Sequence, residues 1–212
     1  NIFFSGMNKE LLTGHIKKKD IKLLRKDYPK NKIVLGSIGR LVKSDSEEYL
    51  DTIISIMQKN PNTIFLMCGT GDATSIKKYI AKYALLDRFH FPGHINPHLY
   101  GNIMDVFLDT FPFRHGSSVD EIMAKGRCVL TNFEHITIKN ILNNANKFYS
   151  KNNLSKNYLY ADDTQDYLEK ANELIRSKDL RIKAGKINEK LRFNKKHGKD
   201  TFYKMLEKIL CI

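Results

Sequence analysis

"KIVLGSIGRLVKSDSEEYLDTIISIMQKNPNTIFLMCG", residues 32–69, decides the fold of this 212-residue chain. It opens on a short continuous apolar run, Ile33–Ile38, and closes on another, Thr63–Cys68. Such runs, bounded by Gly, Pro or Asn, are the mark of strands buried on both faces. Between them Leu50, Ile53, Ile54 and Met57 recur at helical spacing, and Ser44-x-x-Glu47 resembles a capping box. Strand, helix and a second strand of the same kind predict a βαβ unit with parallel strands.

Working outward, the same alternation continues. Apolar runs at Arg88–Phe91, Asp105–Asp109, Cys128–Asn132 and Tyr158–Tyr160 read as further strands. Helical patterns cover Ala73–Tyr83 and Pro97–Met104, and another begins near Ser117. This predicts an α/β fold with a doubly wound parallel sheet. Beyond it the periodicity is purely helical. Leu168, Ala171, Leu174 and Ile175 form one stripe, Leu180, Ala184, Ile187 and Leu191 a second, and Phe202, Met205, Leu206 and Ile209 a third. The expected organisation is a lead-in over residues 1–30, a remnant of an interdomain connection. The α/β domain follows over 31–162, and a helical C-terminal tail over 163–212 packs on it.

Composition narrows the classes. The chain is 42% hydrophobic and 28% charged, as globular proteins are, and no apolar run reaches the length of a membrane span. The start, NIFFSGMNKE, has no secretory pattern. Cys68, Cys128 and Cys211 lie without metal-ligand spacing and in odd number, which fits a reducing cytoplasm and no disulfide framework. The net charge of +13 permits nucleic acid, an anionic membrane surface or a phosphorylated ligand as partner. The basic residues are diffuse and no aromatic-interleaved basic motif accompanies them, so nucleic acid is not expected. The first residue is Asn1 rather than Met, so a longer polypeptide is expected.

In open parallel sheets, ligands bind beyond the carboxyl ends of the strands. After the first strand, Gly36-Ser37-Ile38-Gly39-Arg40-Leu41-Val42-Lys43 brings two cations one turn apart. They suit a diphosphate, or they are surface cations on a tight turn. Gly69-Thr70-Gly71-Asp72 reads as a turn into a helix cap. Pro92-Gly93-His94-Ile95 could read a base edge through its backbone, or be only a loop. Then comes "RHGSSVDE", residues 114–121, where the pattern predicts a helix start. Helix N-termini attract anions, Gly116 admits close approach, and Arg114, His115, Ser117 and Ser118 add donors. Glu121, one turn further in, would repel a phosphate but could accept from a ribose. Ordinary helix capping explains the serines and acids equally well.

GSIGRLVK, PNTIFLMCG, FPGHINPHLY, DVFLDTFPF and HGSSVDEIMAKG, in this order, resemble the C-terminal half of GT-B glycosyltransferases over roughly residues 30–135. The similarity is closest to the group of protein O-GlcNAc transferase and the bacterial HMW1C-like cytoplasmic N-glucosyltransferases. The resemblance implies a nucleotide-sugar donor, UDP-linked in this group, with no metal and no separate cofactor. It implies diphosphate contacts at Lys43, with Arg40 beside it, and at His115, Gly116, Ser117 and Ser118. His94 and Ile95 would hold uracil, and Glu121 the ribose. A missing N-terminal domain would supply the acceptor side, where the acceptor is a protein, lipid or glycan, and any general base. The expected location is cytoplasmic, with peripheral contact at the inner membrane surface. The chain departs from the pattern in three places. Phe113 stands where retaining relatives carry a second Glu, Ser replaces Thr in the O-GlcNAc transferase motif, and Glu121 replaces its Asp. Two other readings remain: a nucleotide-sugar epimerase or hydrolase of the same fold, and a basic, non-catalytic nucleotide- or nucleic-acid-binding module.

Overall fold

The computed structural model describes residues 9–132 and 139–193. In chain order, the helices α1 (Lys9–Thr13) and α2 (Lys18–Arg25) precede strand β1 (Ile33–Ile38). Then follow α3 (Glu47–Lys59), β2 (Thr63–Cys68), α4 (Thr74–Ala81), β3 (Phe89–Gly93), α5 (Pro97–Tyr100), β4 (Val106–Leu108) and α6 (Gly116–Ala124). The remainder is β5 (Cys128–Asn132), α7 (Lys139–Lys151), β6 (Tyr160–Ala161), α8 (Thr164–Arg176) and α9 (Lys178–Arg192). The third tail stripe, Phe202 to Ile209, lies outside the described residues.

The six strands form a parallel sheet in the order β3-β2-β1-β4-β5-β6. Every residue of β2 and of β5 is buried, so these strands are covered on both faces, as a doubly wound sheet requires. The strand order reverses between β1 and β4. That switch point is where such sheets open a crevice at their carboxyl edge.

Several boundaries differ from the sequence reading, each for a visible reason. Ser44 is buried and ends the 3-10 turn Leu41–Lys43, so it cannot cap α3. Ser46 takes that role, its hydroxyl accepting from the Tyr49 N–H. β3 starts one residue late because Arg88 closes a turn, its guanidinium donating to the carbonyls of Met57, Asn60 and Thr63. Asp105 leaves β4 because its carboxylate, at 2.9 Å, receives the Val34 N–H. β6 begins only at Tyr160, since the Asn157 side chain takes the N–H groups of Leu159 and Tyr160. α5 ends at Tyr100: a Cβ on Gly101 would lie 2.4 Å from Ile122 Cδ1, and the chain turns against α6 there.

α8 and α9 carry the two remaining tail stripes inward, with Ala171, Leu174, Ile175, Ala184 and Ile187 buried. The Tyr167 hydroxyl donates to the Asp109 carbonyl at 3.0 Å, and Asn172 accepts from Asn60 at 2.6 Å. Helix α8 is thereby fixed beside the end of β4. At the other end of the chain, Leu12 of α1 is buried and the ammonium of Lys125, which follows α6, donates to its carbonyl.

Candidate functional site

Glycines bring the strand ends together. A Cβ on Gly69 would lie 1.5 Å from the Gly39 carbonyl oxygen, and Gly69 holds φ +146°. The Gly39 N–H reaches the Cys68 carbonyl and the Gly69 N–H the Gly93 carbonyl, each at 2.9 Å. The chain therefore leaves β1, β2 and β3 in one tight row. After β2, Asp72 accepts from the N–H and hydroxyl of Thr74, which makes Gly69–Asp72 the turn into a helix start that its sequence suggests.

Across the switch point the loops after β1 and β4 clasp each other. The Lys43 ammonium donates to the Arg114 carbonyl at 2.6 Å. The His115 ring lies so close to Gly39 that a Cβ there would meet Nδ1 at 2.1 Å. The organiser is Asp109, wholly buried at the end of β4. Its carboxylate receives the N–H groups of Thr110 and His115 and the Thr131 hydroxyl, with the Arg114 Nε 3.4 Å away. Arg114 also donates to Thr131, so its guanidinium is part of the scaffold. A cis Phe111–Pro112 bond lies in this loop, and the Phe113 side chain is exposed.

α6 starts here without a side-chain cap. Its N-cap residue is His115, which makes no cap bond, and the serines lie inside the first turn. The capping alternative for Ser117 and Ser118 therefore does not describe this helix. Gly116 faces open space, with nothing within 4 Å of an added Cβ, and Ser117 is exposed. His115 is 3% exposed, and its Nε2 has no hydrogen-bond partner among the described residues. Burial pushes its pKa down to about 4, Asp109 opposing and the Lys43 charge adding to the fall, so the imidazole is neutral near pH 7. An open helix N-terminus, a cation and a neutral imidazole thus converge at one point, a setting for an anion.

Glu121 points along α6 toward α5. Its Oε2 stands 4.0 Å from His98 Nδ1, and neither atom has a hydrogen-bond partner among the described residues. That separation is too long for a direct hydrogen bond, and both atoms are buried. Burial raises the Glu121 pKa, while Lys125 and His98 lower it. Ile95, packed on the core, lies two residues before α5, and the exposed His94 precedes it. β3 sits two strands from β1, about 10 Å across the sheet. His94 and Ile95 follow β3, and Lys43 and the α6 N-terminus follow β1 and β4, so all lie at the carboxyl edge of the sheet, with Glu121 and His98 where α6 meets α5. Arg40 is exposed beside them, flanking the 3-10 turn that carries Lys43.

Sequence reasoning missed His98 and Asp109. His98 reads as one more polar residue in a loop, and its position against Glu121 arises only from packing of α5 on α6. Asp109 ends an apolar run, and the sequence does not mark it as the hub of the loop. A recess of about 490 Å³ lies elsewhere, at the β3 edge between Tyr28, Lys77 and Phe91.

No protein-family model and no curated protein matches the chain. Solved structures do match it by fold. Anabaena Alr3699/HepE in complex with UDP and glucose aligns with TM-score 0.68 at 15% identity, covering 95% of this chain and 55% of that one. The C-terminal domain of LpcC, a glycosyl transferase group 1 family protein of Francisella tularensis, aligns with TM-score 0.63 at 17% identity, covering 90% and 98%. An O-GlcNAc transferase of Thermobaculum terrenum aligns with TM-score 0.65 at 18% identity, covering 85% and 36%. The fold is therefore the Rossmann-like half of a GT-B architecture, and its neighbours are glycosyltransferases. The chain spans about half or less of the longer chains it matches and nearly all of the LpcC domain. By fold it is no nearer to the O-GlcNAc transferase than to HepE.

Proposed function

We propose that this chain is the donor-binding half of a glycosyltransferase that uses a nucleotide-sugar, with UDP as the nucleotide. One observation carries the reading. At the switch point the open N-terminus of α6 stands beside Lys43 and the unpartnered Nε2 of His115, one helical turn from the carboxylate of Glu121. In this reading the phosphates lie at Gly116, Ser117 and Ser118, the ribose at Glu121 and the base along His94 and Ile95. HepE, a fold neighbour, was solved with UDP and glucose bound, which supports the choice of nucleotide.

The chemistry assigned to this half is electrostatic. As the sugar departs to an acceptor, negative charge grows on the diphosphate. Lys43, Arg40 and the N–H groups of α6 are already in place to stabilise it, without a metal. The acceptor (protein, lipid or glycan) and the base that activates it belong to a second domain, as the coverage of the longer neighbours suggests. The cytoplasm is the compartment we assign. We place this chain nearer the O-GlcNAc transferase and HMW1C-like group on the order of its five motifs rather than on its fold.

Calorimetry with UDP and UDP-sugars, run beside a transfer assay with labelled donor, tests this. The chain alone is expected to bind both ligands weakly and to transfer nothing. Robust turnover by the purified chain would contradict the half-site argument, and indifference to every nucleotide would contradict the donor site itself.

A further inference from the structure

We propose that the outer face of α2 docks this protein on an anionic membrane surface. The orientation of α2 is fixed from within. Ile21 and Leu24 pack toward the core, and the Arg25 guanidinium donates to the carbonyls of Tyr28, Pro29 and Lys32, pinning the helix end. The opposite face then carries Lys19, Lys22, Leu23 and Lys26, spaced i, i+3, i+4 and i+7, so all four share one side. All are exposed, and Leu23 is 66% exposed in their midst. Lys17 and Lys18 extend the basic surface at the helix start, and none of these lysines has an ion-pair partner among the described residues.

The chemistry selects lipid over other polyanions. Lysines alone would suit any polyphosphate, but a large apolar side chain held out among them gains only where hydrocarbon is at hand. Long lysine stems can lie along the interface with their ammonium groups at the headgroups while Leu23 enters below them. Each lysine near an anionic leaflet contributes about fivefold in affinity, so the stripe acts collectively. The inference stands on α2 alone and does not depend on the donor-site reading.

The test is co-sedimentation of the full chain with vesicles of phosphatidylcholine alone and of phosphatidylcholine with phosphatidylglycerol, at low and high salt. Binding to the anionic vesicles only, lost at high salt, is expected. Replacing Lys19, Lys22 and Lys26 together by Gln should weaken it about a hundredfold, and Leu23→Gln should weaken it several-fold. Gln at Lys178, Lys183 and Lys186, exposed on α9, removes the same charge elsewhere and should change binding no more than a few-fold. Circular dichroism confirms that each variant is folded. Equal losses from the two triple variants would overturn the proposal, because diffuse charge would then be the cause. Equal binding to neutral vesicles would overturn it too, as would a Leu23→Gln variant that binds like the parent. Tighter α2-dependent binding to RNA than to vesicles would make the face a nucleic-acid surface instead.

Discussion

Lys43 joins structure and chemistry most tightly, and Lys43→Met separates the two. Its ammonium spends one of three N–H donors on the Arg114 carbonyl, at 2.6 Å, leaving two for a ligand. Methionine keeps the apolar stem and deletes the charge. A hydrogen bond to a charged group is worth about 1.5–3 kcal/mol, and the half-buried setting puts this one near the lower end. In a domain of this size that corresponds to a fall in Tm of about 3–6 °C. The same deletion removes a phosphate contact of similar strength, so UDP affinity should fall about tenfold to a hundredfold. Uridine, which lacks the phosphates, should bind as before. The His115 pKa, which the Lys43 charge helps hold down at about 4, should rise. Thermal denaturation, calorimetry with both ligands and an imidazole NMR titration read the three effects. If Tm falls while UDP and uridine affinities keep their ratio, Lys43 is a loop clasp and has no part in binding.

Three further outcomes are expected. Glu121→Gln should lower UDP affinity several-fold while inorganic pyrophosphate binds as well or better, since a carboxylate that holds a ribose also repels phosphate; calorimetry showing both moving together would remove Glu121 from the ribose site. Gly69→Ala should destabilise by about 3 kcal/mol or more, because its Cβ would strike the Gly39 carbonyl at 1.5 Å and its φ is +146°; a denaturation midpoint equal to the parent's would refute the strand-end packing. His115, neutral and buried, has a folded pKa near 4, below the unfolded value of about 6.5, so the stability it contributes is complete above pH 6.5 and is lost as pH falls toward 4, by at most about 3 kcal/mol. His115→Gln should flatten that limb of the stability profile, and an unchanged limb would mean that His115 is not buried as described.

The sheet was legible because its central strands are apolar on both faces, which leaves short unbroken runs such as TIFLMC bounded by Gly and Asn. What escaped was set by contacts between elements. Helix α7 was not anticipated, although Ile141, Leu142, Ala145, Phe148 and Tyr149 recur at helical spacing in KNILNNANKFYSK; the stripe is interspersed with Asn, and Ala145 and Tyr149 are buried against the tail. The cap of α3 moved from Ser44 to Ser46 because Ser44 was already committed to the preceding turn. In the site, the serines and glycines of HGSS and the lysine of GRLVK could be read, since helix starts and glycine turns have local signatures. The clasp between them could not. It depends on Asp109 drawing the β4 loop back onto itself and on Gly39 leaving room for His115, both products of tertiary packing. His98 became visible only through its approach to Glu121.

The central claim is that a nucleoside diphosphate lies across the switch point, and amide NMR of the labelled chain titrated with UDP addresses it directly. The account predicts saturable shifts at Gly116, Ser117 and Ser118, at the residues from Gly39 to Lys43, and at His94 and Ile95, with β6 and α7 silent. Inorganic pyrophosphate should reproduce the first two groups and leave His94 and Ile95 unmoved. Shifts confined to the recess around Tyr28 and Phe91, or absent at α6 while UDP binds, would contradict it.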